Sequence, residues 1–455
     1  MTAATQTLSK SRFINGSQCH LRLWHDYHEP HLAKPANPTL QAIFDTGHEV
    51  GDLACARYPS GHLIAHDHRH TTEALEETSK LIDQDTFPAL FEAAFTYQGL
   101  FARADIIERL PDGGWRLIEV KSTTRNKDVF VLDLAFQLGI LRGAGLDVRD
   151  AGVLTLNRDY VYDGQQLDLD ALFRYHPCYE RADAMCESVG DQAKVMQSLI
   201  TQDDPPDIAP GDHCFTPYTC PYHAHCTRDR AERDQASDAL PALAPEQRNH
   251  IKYALASLTP PIQHLDFETF APAIPRFAGT RPYEPMPFLF SVHTEHDGAD
   301  PAHTDYLHKG EDDPRPQLAD RLIDALGSEG SVCTYSGYER RMIKGLIAAL
   351  PDRADALHAI EARLFDLYRP IRVGYYRSGY RGSLSLKSVL PLLSPDSGYD
   401  DLAITDGQTA AARYSLALNT KDRRQQQSLF DDLRAYCERD TLASVKIRQA
   451  LASIS

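Results

Sequence analysis

The sequence predicts an α/β protein of two domains, on three observations. The chain has 455 residues, more than one hydrophobic core ordinarily serves, so two or three domains are expected. Strand-like apolar runs alternate with helix-like segments in both halves, the pattern of strands covered by helices. A polar stretch from Arg228 to Ala239 separates the halves. The expected division is a domain over residues 1–232, a helical linker over 233–260 and a domain over 261–455.

Composition narrows the class. Hydrophobic residues make up 42% and charged residues 24%, the proportions of an ordinary globular chain. No run is long enough to cross a bilayer. Met1 to Arg12 lacks the apolar core of a secretory signal, so a cytoplasmic location without a membrane partner is expected. A net charge of -17 argues against coating nucleic acid through bulk positive potential. It leaves open an enzyme whose acidic site sits beside a locally basic surface. Nine cysteines, an odd number with no export signal, argue against a disulfide framework. Clustered cysteines then read as metal ligands and scattered ones as buried thiols.

In the first half, Phe101-Ala-Arg-Ala-Asp105-Ile-Ile-Glu108 alternates as a strand. The turn Pro111-Asp-Gly-Gly114 joins it to a second strand, Trp115 to Lys121, a hairpin signal. Pairing brings Asp105 and Glu119 together, with Lys121 two residues on and on the same face. Two carboxylates can hold a hard divalent cation, Mg²⁺ or Mn²⁺. The lysine can orient water or stabilise charge developing on phosphorus. A surface hairpin with a Glu–Lys pair is the bland alternative.

This D…ExK pattern resembles the PD-(D/E)XK nucleases of the RecB type. The resemblance extends to Gly47-His48, where it implies that His48 is a metal ligand on a helix. It extends also to Asp133-Leu-Ala-Phe-Gln137, where it implies a helix whose Gln137 contacts nucleic acid. The tyrosine that usually follows four residues later is Leu141 here. Cys214-x5-Cys220-x5-Cys226, with Cys19 far upstream, looks like the iron–sulfur staple of the same nucleases. It implies a [4Fe–4S] cluster tying the ends of the domain together. Zn²⁺ completed by His213, His223 or His225 is the alternative. Cys55, Cys178, Cys186, Cys333 and Cys437 read as buried thiols. Ala65-His-Asp-His-Arg-His70 reads as a solvated strand edge.

In the second half, Pro245 to Leu258 reads as one helix stopped by Pro260 and Pro261. The strand Ile262 to Phe267 directs Asp266 and Glu268 to one side. Near the C-terminus Tyr436 and Asp440 share a helix face. An opening D-x-E strand and a closing Y-x3-D helix resemble the DEDDy subclass of DnaQ-like exonucleases. The resemblance implies an RNase H-like fold and two Mg²⁺ or Mn²⁺ ions, with Tyr436 orienting the attacking water. The middle acid is expected to be Glu339, in Thr334-Tyr-Ser-Gly-Tyr338-Glu339, although that family carries aspartate. Asp366 is the competitor.

Between Asp366 and Asp396 no acidic residue occurs. Arg369, Arg372, Arg377, Arg381 and Lys387 interleave there with Tyr368, Tyr375, Tyr376 and Tyr380. Arginines grip phosphates and tyrosines stack on unpaired bases. Gly374, Gly379 and Gly382 suggest a flexible loop. The order of parts resembles a bacterial family joining a RecB-like, cysteine-stapled region to a DnaQ-like region. That implies DNA processing in repair or defence, on single strands or ends. The alternatives are an RNA-processing nuclease and a non-catalytic iron–sulfur module that binds DNA or senses redox state.

Overall fold

A computed structural model describes residues 7–35, 38–67, 69–228, 241–296, 298–377 and 382–454, with Pro38, Tyr376 and Arg377 described in backbone only. The expected contacts of Arg381 and Tyr380, and the side chains of Tyr376 and Arg377, lie outside the described residues, as do His68 and most of the polar stretch. The chain forms two compact units of mixed helix and sheet. The first runs to residue 234 and takes in Ala273–Pro275 and Arg281–Tyr283; the second holds the remainder.

The first unit runs β1 (Leu8–Ser9), α1 (Lys10–Gln18), α2 (His20–His28), α3 (Pro38–Cys55), β2 (His62–Leu63), α4 (Thr71–Gln84), β3 (Ala89–Tyr97), β4 (Leu100–Arg109) and β5 (Trp115–Lys121). It continues with α5 (Asp128–Gly143), β6 (Val148–Leu156), α6 (Leu169–Leu172), β7 (Phe173–Pro177), α7 (Tyr179–Leu199) and α8 (His223–Cys226). The sheet order is β2-β3-β4-β5-β6-β7, with β1 also on β4. β5 and β6 are parallel, so the chain must cross over between them, and α5 is that crossover. Most of α5 is buried, from Phe130 to Leu141, which is why it shows no polar face.

β4 meets two partners along one edge. β3 pairs along its whole length on the other side, so β1, at Leu100 and Phe101, and β5, at Ile106 to Arg109, share the remaining edge. The edge forks between them, and Asp105 lies in the fork. The simple alternation read from the sequence breaks at this point. Ala102, Ala104 and Ile107 join the larger core, whereas Ile106 joins the smaller core with Ile118, Val50 and Ala54 of α3. Glu92, between the partners of Ala104 and Ile106, has a φ of 56°. A residue with a Cβ in the left-handed region costs about 1–2 kcal/mol, and such strain gathers at sites where backbone direction matters.

The second unit runs α9 (Pro245–Leu255), β8 (Ile262–Phe270), β9 (Met286–Glu295), β10 (Ala302–Leu307), α10 (Pro314–Leu326), β11 (Ser331–Thr334), α11 (Tyr338–Ala349), α12 (Ala354–Ala362) and β12 (Leu364–Asp366). Then come α13 (Tyr368–Arg377), α14 (Leu386–Leu393), α15 (Gly407–Asn419) and α16 (Arg423–Ile454). Its sheet has the order β10-β9-β8-β11-β12. The three strands β8, β11 and β12 are parallel, while β9 runs antiparallel to β8 and β10 runs antiparallel to β9. α10, α11 and α12 cover one face, and α15 and the 32-residue α16 cover the other.

Two expectations need correcting. The helix taken as a linker belongs to the second unit, because Ile251 of α9 is fully buried against Ile371 and Tyr375. The basic segment is not a loop at its start. Residues 368–377 form α13, since Ile371 and Tyr375, one helical turn apart, supply an apolar face with a core to meet. No described helix is long and apolar enough to cross a membrane.

Candidate metal centres

In the first unit the fork brings six side chains into one network. Glu119, buried in β5, accepts from Lys121 Nζ at 2.6 Å and from Gln137 Nε2 at 2.7 Å. Lys121 also reaches Asp133 at 2.9 Å, and Gln137 donates to Asp133 at 3.1 Å. Asp105 Oδ2 accepts from the Val120 backbone N–H at 2.8 Å. Between the two expected metal-binding carboxylates stands a residue the sequence reading missed. Lys10 Nζ lies 3.0 Å from each oxygen of Glu119 and 3.4 Å from Asp105 Oδ1.

The electrostatics follow from this arrangement. Burial and the negative charge of Glu119 push the Asp105 carboxyl up to about 7. Burial opposes the charge of Glu119 too, but Lys10 and Lys121 outweigh it and hold that carboxyl well below the usual range. Asp133, also raised by burial and by Glu119, is a further acid of the site. It lay inside the helix motif without being assigned a role.

Two expected residues take other positions. Gln137 is fully buried, so it orients Glu119 and Asp133 instead of touching nucleic acid. His48 is exposed on α3 and forms no compact ligand group with Asp105 and Glu119 among the described residues. The helical repeat does put it on the same side of α3 as Cys55, whose thiol burial and the Asp105 charge push up to about 12. The histidine segment is not a strand edge. β2 ends at Leu63, and beyond it His66 bonds Glu77 at 3.0 Å while His70 bonds Asp67 at 2.7 Å.

Cys19, Cys214, Cys220 and Cys226 line one small pocket, with Arg22, His213 and His223. All four are free thiols. Burial raises Cys220 and Cys226, and the charges of Cys19 and Cys214 add to the rise. The pocket is closed by ties between α1–α2 and the cysteine loop. Gln18 Nε2 donates to the carbonyls of His213 at 2.7 Å and Tyr218 at 2.6 Å. Tyr222 donates to Asp26 at 2.8 Å. Among the described residues no three of the sulfurs lie within 4.8 Å of one another.

In the second unit the parallel strands end at one edge, where α/β sheets commonly carry their sites. β8 brings Asp266 and Glu268, with a register shift just after Glu268. Beyond β11, a turn with Ser336 at φ 97° starts α11 and delivers Glu339. β12 ends on Asp366, and α16 presents Tyr436, Cys437 and Asp440. Oxygens of Asp266 and Glu268 and the sulfur of Cys437 all lie within 4.8 Å of one another. Burial raises Asp266, Glu268, Glu339 and Asp440, and the charges of neighbouring acids of the cluster raise the first three further.

Asp366 and Glu339 differ in what holds them. Asp366 Oδ1 accepts from the backbone N–H groups of Ser336 at 2.9 Å and Tyr368 at 3.0 Å, and Arg369 stands 3.4 Å away. Glu339, 3% exposed, has an Oε2 atom with no hydrogen-bond partner. A buried carboxylate oxygen left unpaired is costly and is what a metal ligand looks like without its ion.

Lys387, expected to grip nucleic acid, is instead drawn among these acids. Its Nζ donates to Tyr436 Oη at 2.6 Å and to the Thr405 carbonyl, and stands 4.4 Å from the Tyr436 ring centre. Tyr399, not singled out in the sequence, donates to Asp440 Oδ1 at 2.6 Å. Among the described residues, Asp266, Glu268, Glu339, Asp366 and Asp440, with Asp406 nearby, thus outnumber Lys387 and the half-engaged Arg369. Arg372 is exposed on α13, and Tyr375 is core.

Residues 263–385 match the family described as "Domain of unknown function (DUF2779)". The match spans Asp266, Glu268, Glu339 and Asp366. No curated protein matches the chain. Among solved structures, the one titled "Crystal structure of SSO0001" aligns at 15% identity over 45% of this chain and 81% of that chain, with a TM-score of 0.24. At that distance the likeness carries no inference about fold or activity.

Proposed function

We propose that the chain is a metal-dependent nuclease with two carboxylate centres, cutting phosphodiester bonds of DNA at single strands or ends. The observation that carries this reading is the second centre. Asp266, Glu268, Glu339, Asp366 and Asp440 meet at one sheet edge with Lys387 as their close counter-charge, and Glu339 keeps an orphaned oxygen. Among the described residues the acids outnumber the cations around them, an excess that divalent cations would offset. Asp266, Glu268, Glu339 and Asp440 would hold Mg²⁺ or Mn²⁺, which supplies a polarised water and a clamp on the phosphate. Tyr436 and Lys387, hydrogen-bonded as a pair, position a proton-bearing group beside Asp440. This reading takes the second unit as an RNase H-like, DEDDy-type domain and the first as a RecB-like PD-(D/E)XK domain. There Glu119, Asp105 and Lys121 form the other centre of cleavage.

The cysteine pocket fits a [4Fe–4S] staple, and the exposed Arg369 and Arg372 beside the second centre fit a phosphate backbone. The test is digestion of end-labelled single- and double-stranded DNA and RNA with Mg²⁺ or Mn²⁺, after purification without oxygen. Lys121→Ala and Asp266→Ala are each expected to lower cleavage at least 100-fold at their own centre, the order lost with a general acid–base or charge-stabilising group. Degradation unchanged in both variants would overturn the reading. A faster digestion of RNA than of DNA would reassign the substrate.

A further inference from the structure

The fork in the first sheet holds an internal cation where a metal ion is expected. Lys10 is the first residue of α1, directly after the two-residue strand β1. An ammonium has three N–H donors, and Lys10 spends them on both oxygens of Glu119, at 3.0 Å, and on Asp105 Oδ1, at 3.4 Å. Each carboxylate has other partners, but among the described residues Lys10 alone bonds both. Lys121 is differently held, between Glu119 and Asp133 and 5.3 Å from the Phe130 ring centre.

We propose that Lys10 is an exchangeable counter-cation: its ammonium keeps the seat between Asp105 and Glu119 until a divalent cation displaces it. The inference rests on the metal-centre reading of Asp105 and Glu119. The displacement is feasible because the Lys10 side chain keeps 19% exposure and a flexible four-carbon stem. It can swing out without moving β4 or β5. Asp105 Oδ2 stays anchored on Val120 and Glu119 stays anchored on Lys121 and Gln137, so both ligands remain in place when the ammonium leaves. Loading the metal and ejecting Lys10 are then one exchange, in which a double positive charge replaces a single one. The freed ammonium stands at the mouth of the site, able to pair with a phosphate.

The test is Mn²⁺ binding by titration calorimetry on the full chain, with the second centre disabled by Asp266→Asn and Asp440→Asn. In that background Lys10→Met is expected to bind Mn²⁺ at least ten-fold more tightly. Equal or weaker binding would overturn the exchange. Asp105→Asn in the same background separates the two ideas. If it abolishes Mn²⁺ binding, the metal-centre reading stands whatever Lys10 does; if it changes nothing, that reading fails and takes the exchange with it. Because Lys10 neutralises buried acids, Lys10→Met and Lys10→Gln are expected to melt lower than the parent in EDTA. Mn²⁺ should then raise their melting temperatures more than the parent's. Variants that Mn²⁺ cannot rescue would make Lys10 a structural residue only, and would also overturn the proposal.

Discussion

Removing one acid from the second centre should make the metal-free protein more stable. Glu268 is 5% exposed, and no hydrogen bond from the described residues reaches its carboxylate. Its neighbour Asp266 offers an oxygen within 4.8 Å. At an effective dielectric of about 20, two unit charges at that distance repel by about 3 kcal/mol. Burial and the Asp266 charge already raise the Glu268 carboxyl, so a bound proton relieves part of this repulsion at neutral pH. Glu268→Gln should therefore gain about 1–2 kcal/mol in EDTA, or about 3–6 °C for a unit of this size. The gain should grow with pH. A carboxyl raised in the folded state binds more protons folded than unfolded above about pH 4.5. Wild-type stability then falls as pH rises, and the variant falls less. Mn²⁺ should reverse the order, stabilising the wild type more. Thermal melts at pH 6 and 8, each with EDTA or Mn²⁺, read all four conditions. A variant that melts below the wild type in EDTA at pH 8 would refute the reasoning, because Glu268 would then be held by contacts instead of strained by neighbours.

Three further outcomes are expected. Cys220→Ser should abolish bound iron and sulfide and lower the melting temperature, measured on protein purified without oxygen; a colourless wild type carrying one zinc would count against the cluster. His293, held near 4 by burial and by the charges of His303 and His264, is neutral when folded but takes a proton near pH 6.5 when unfolded. The unfolded state binds more protons between those values, so this residue's contribution to stability is lost as pH falls from 6.5 to 4. Urea midpoints of wild type and His293→Gln measured from pH 4 to 7 would expose it as a difference in slope; parallel curves would rule it out. Arg372→Glu should weaken single-strand binding several-fold, and the slope of log affinity against log salt should become shallower by about 0.7; unchanged affinity would remove α13 from the binding surface.

The legibility of this chain depended on how local each feature is. The hairpin of β4 and β5 was readable because its turn and both strands lie within about twenty residues. Asp266 with Glu268, and Tyr436 with Asp440, were readable because each pair shares one element and its period. Lys10 was not, because β1 is two residues long and owes its existence to pairing with Leu100 and Phe101. No periodicity marks so short a strand. Tyr399 lies outside any helix or strand and meets Asp440 only through tertiary structure. Lys387 looked like a phosphate ligand because sequence shows its basic neighbours and not the acids it folds among. Gln137 was misjudged for the same reason: a helix with no exposed face cannot offer a side chain to a polymer. The helical start of the basic segment did carry a signal, the spacing of Ile371 and Tyr375, which the glycines around it obscured.

The helix α1 ties two chemistries to one short piece of chain. Nine residues, about 13 Å of helix, separate Lys10 in the acidic fork from Cys19 in the cysteine pocket. An experimenter who trims the first twenty residues as a disposable tail would delete the ammonium of the fork and one thiol of the cysteine pocket in one stroke. Such a shortened protein would fail in both places at once. Its failure would say nothing about which of the two had mattered.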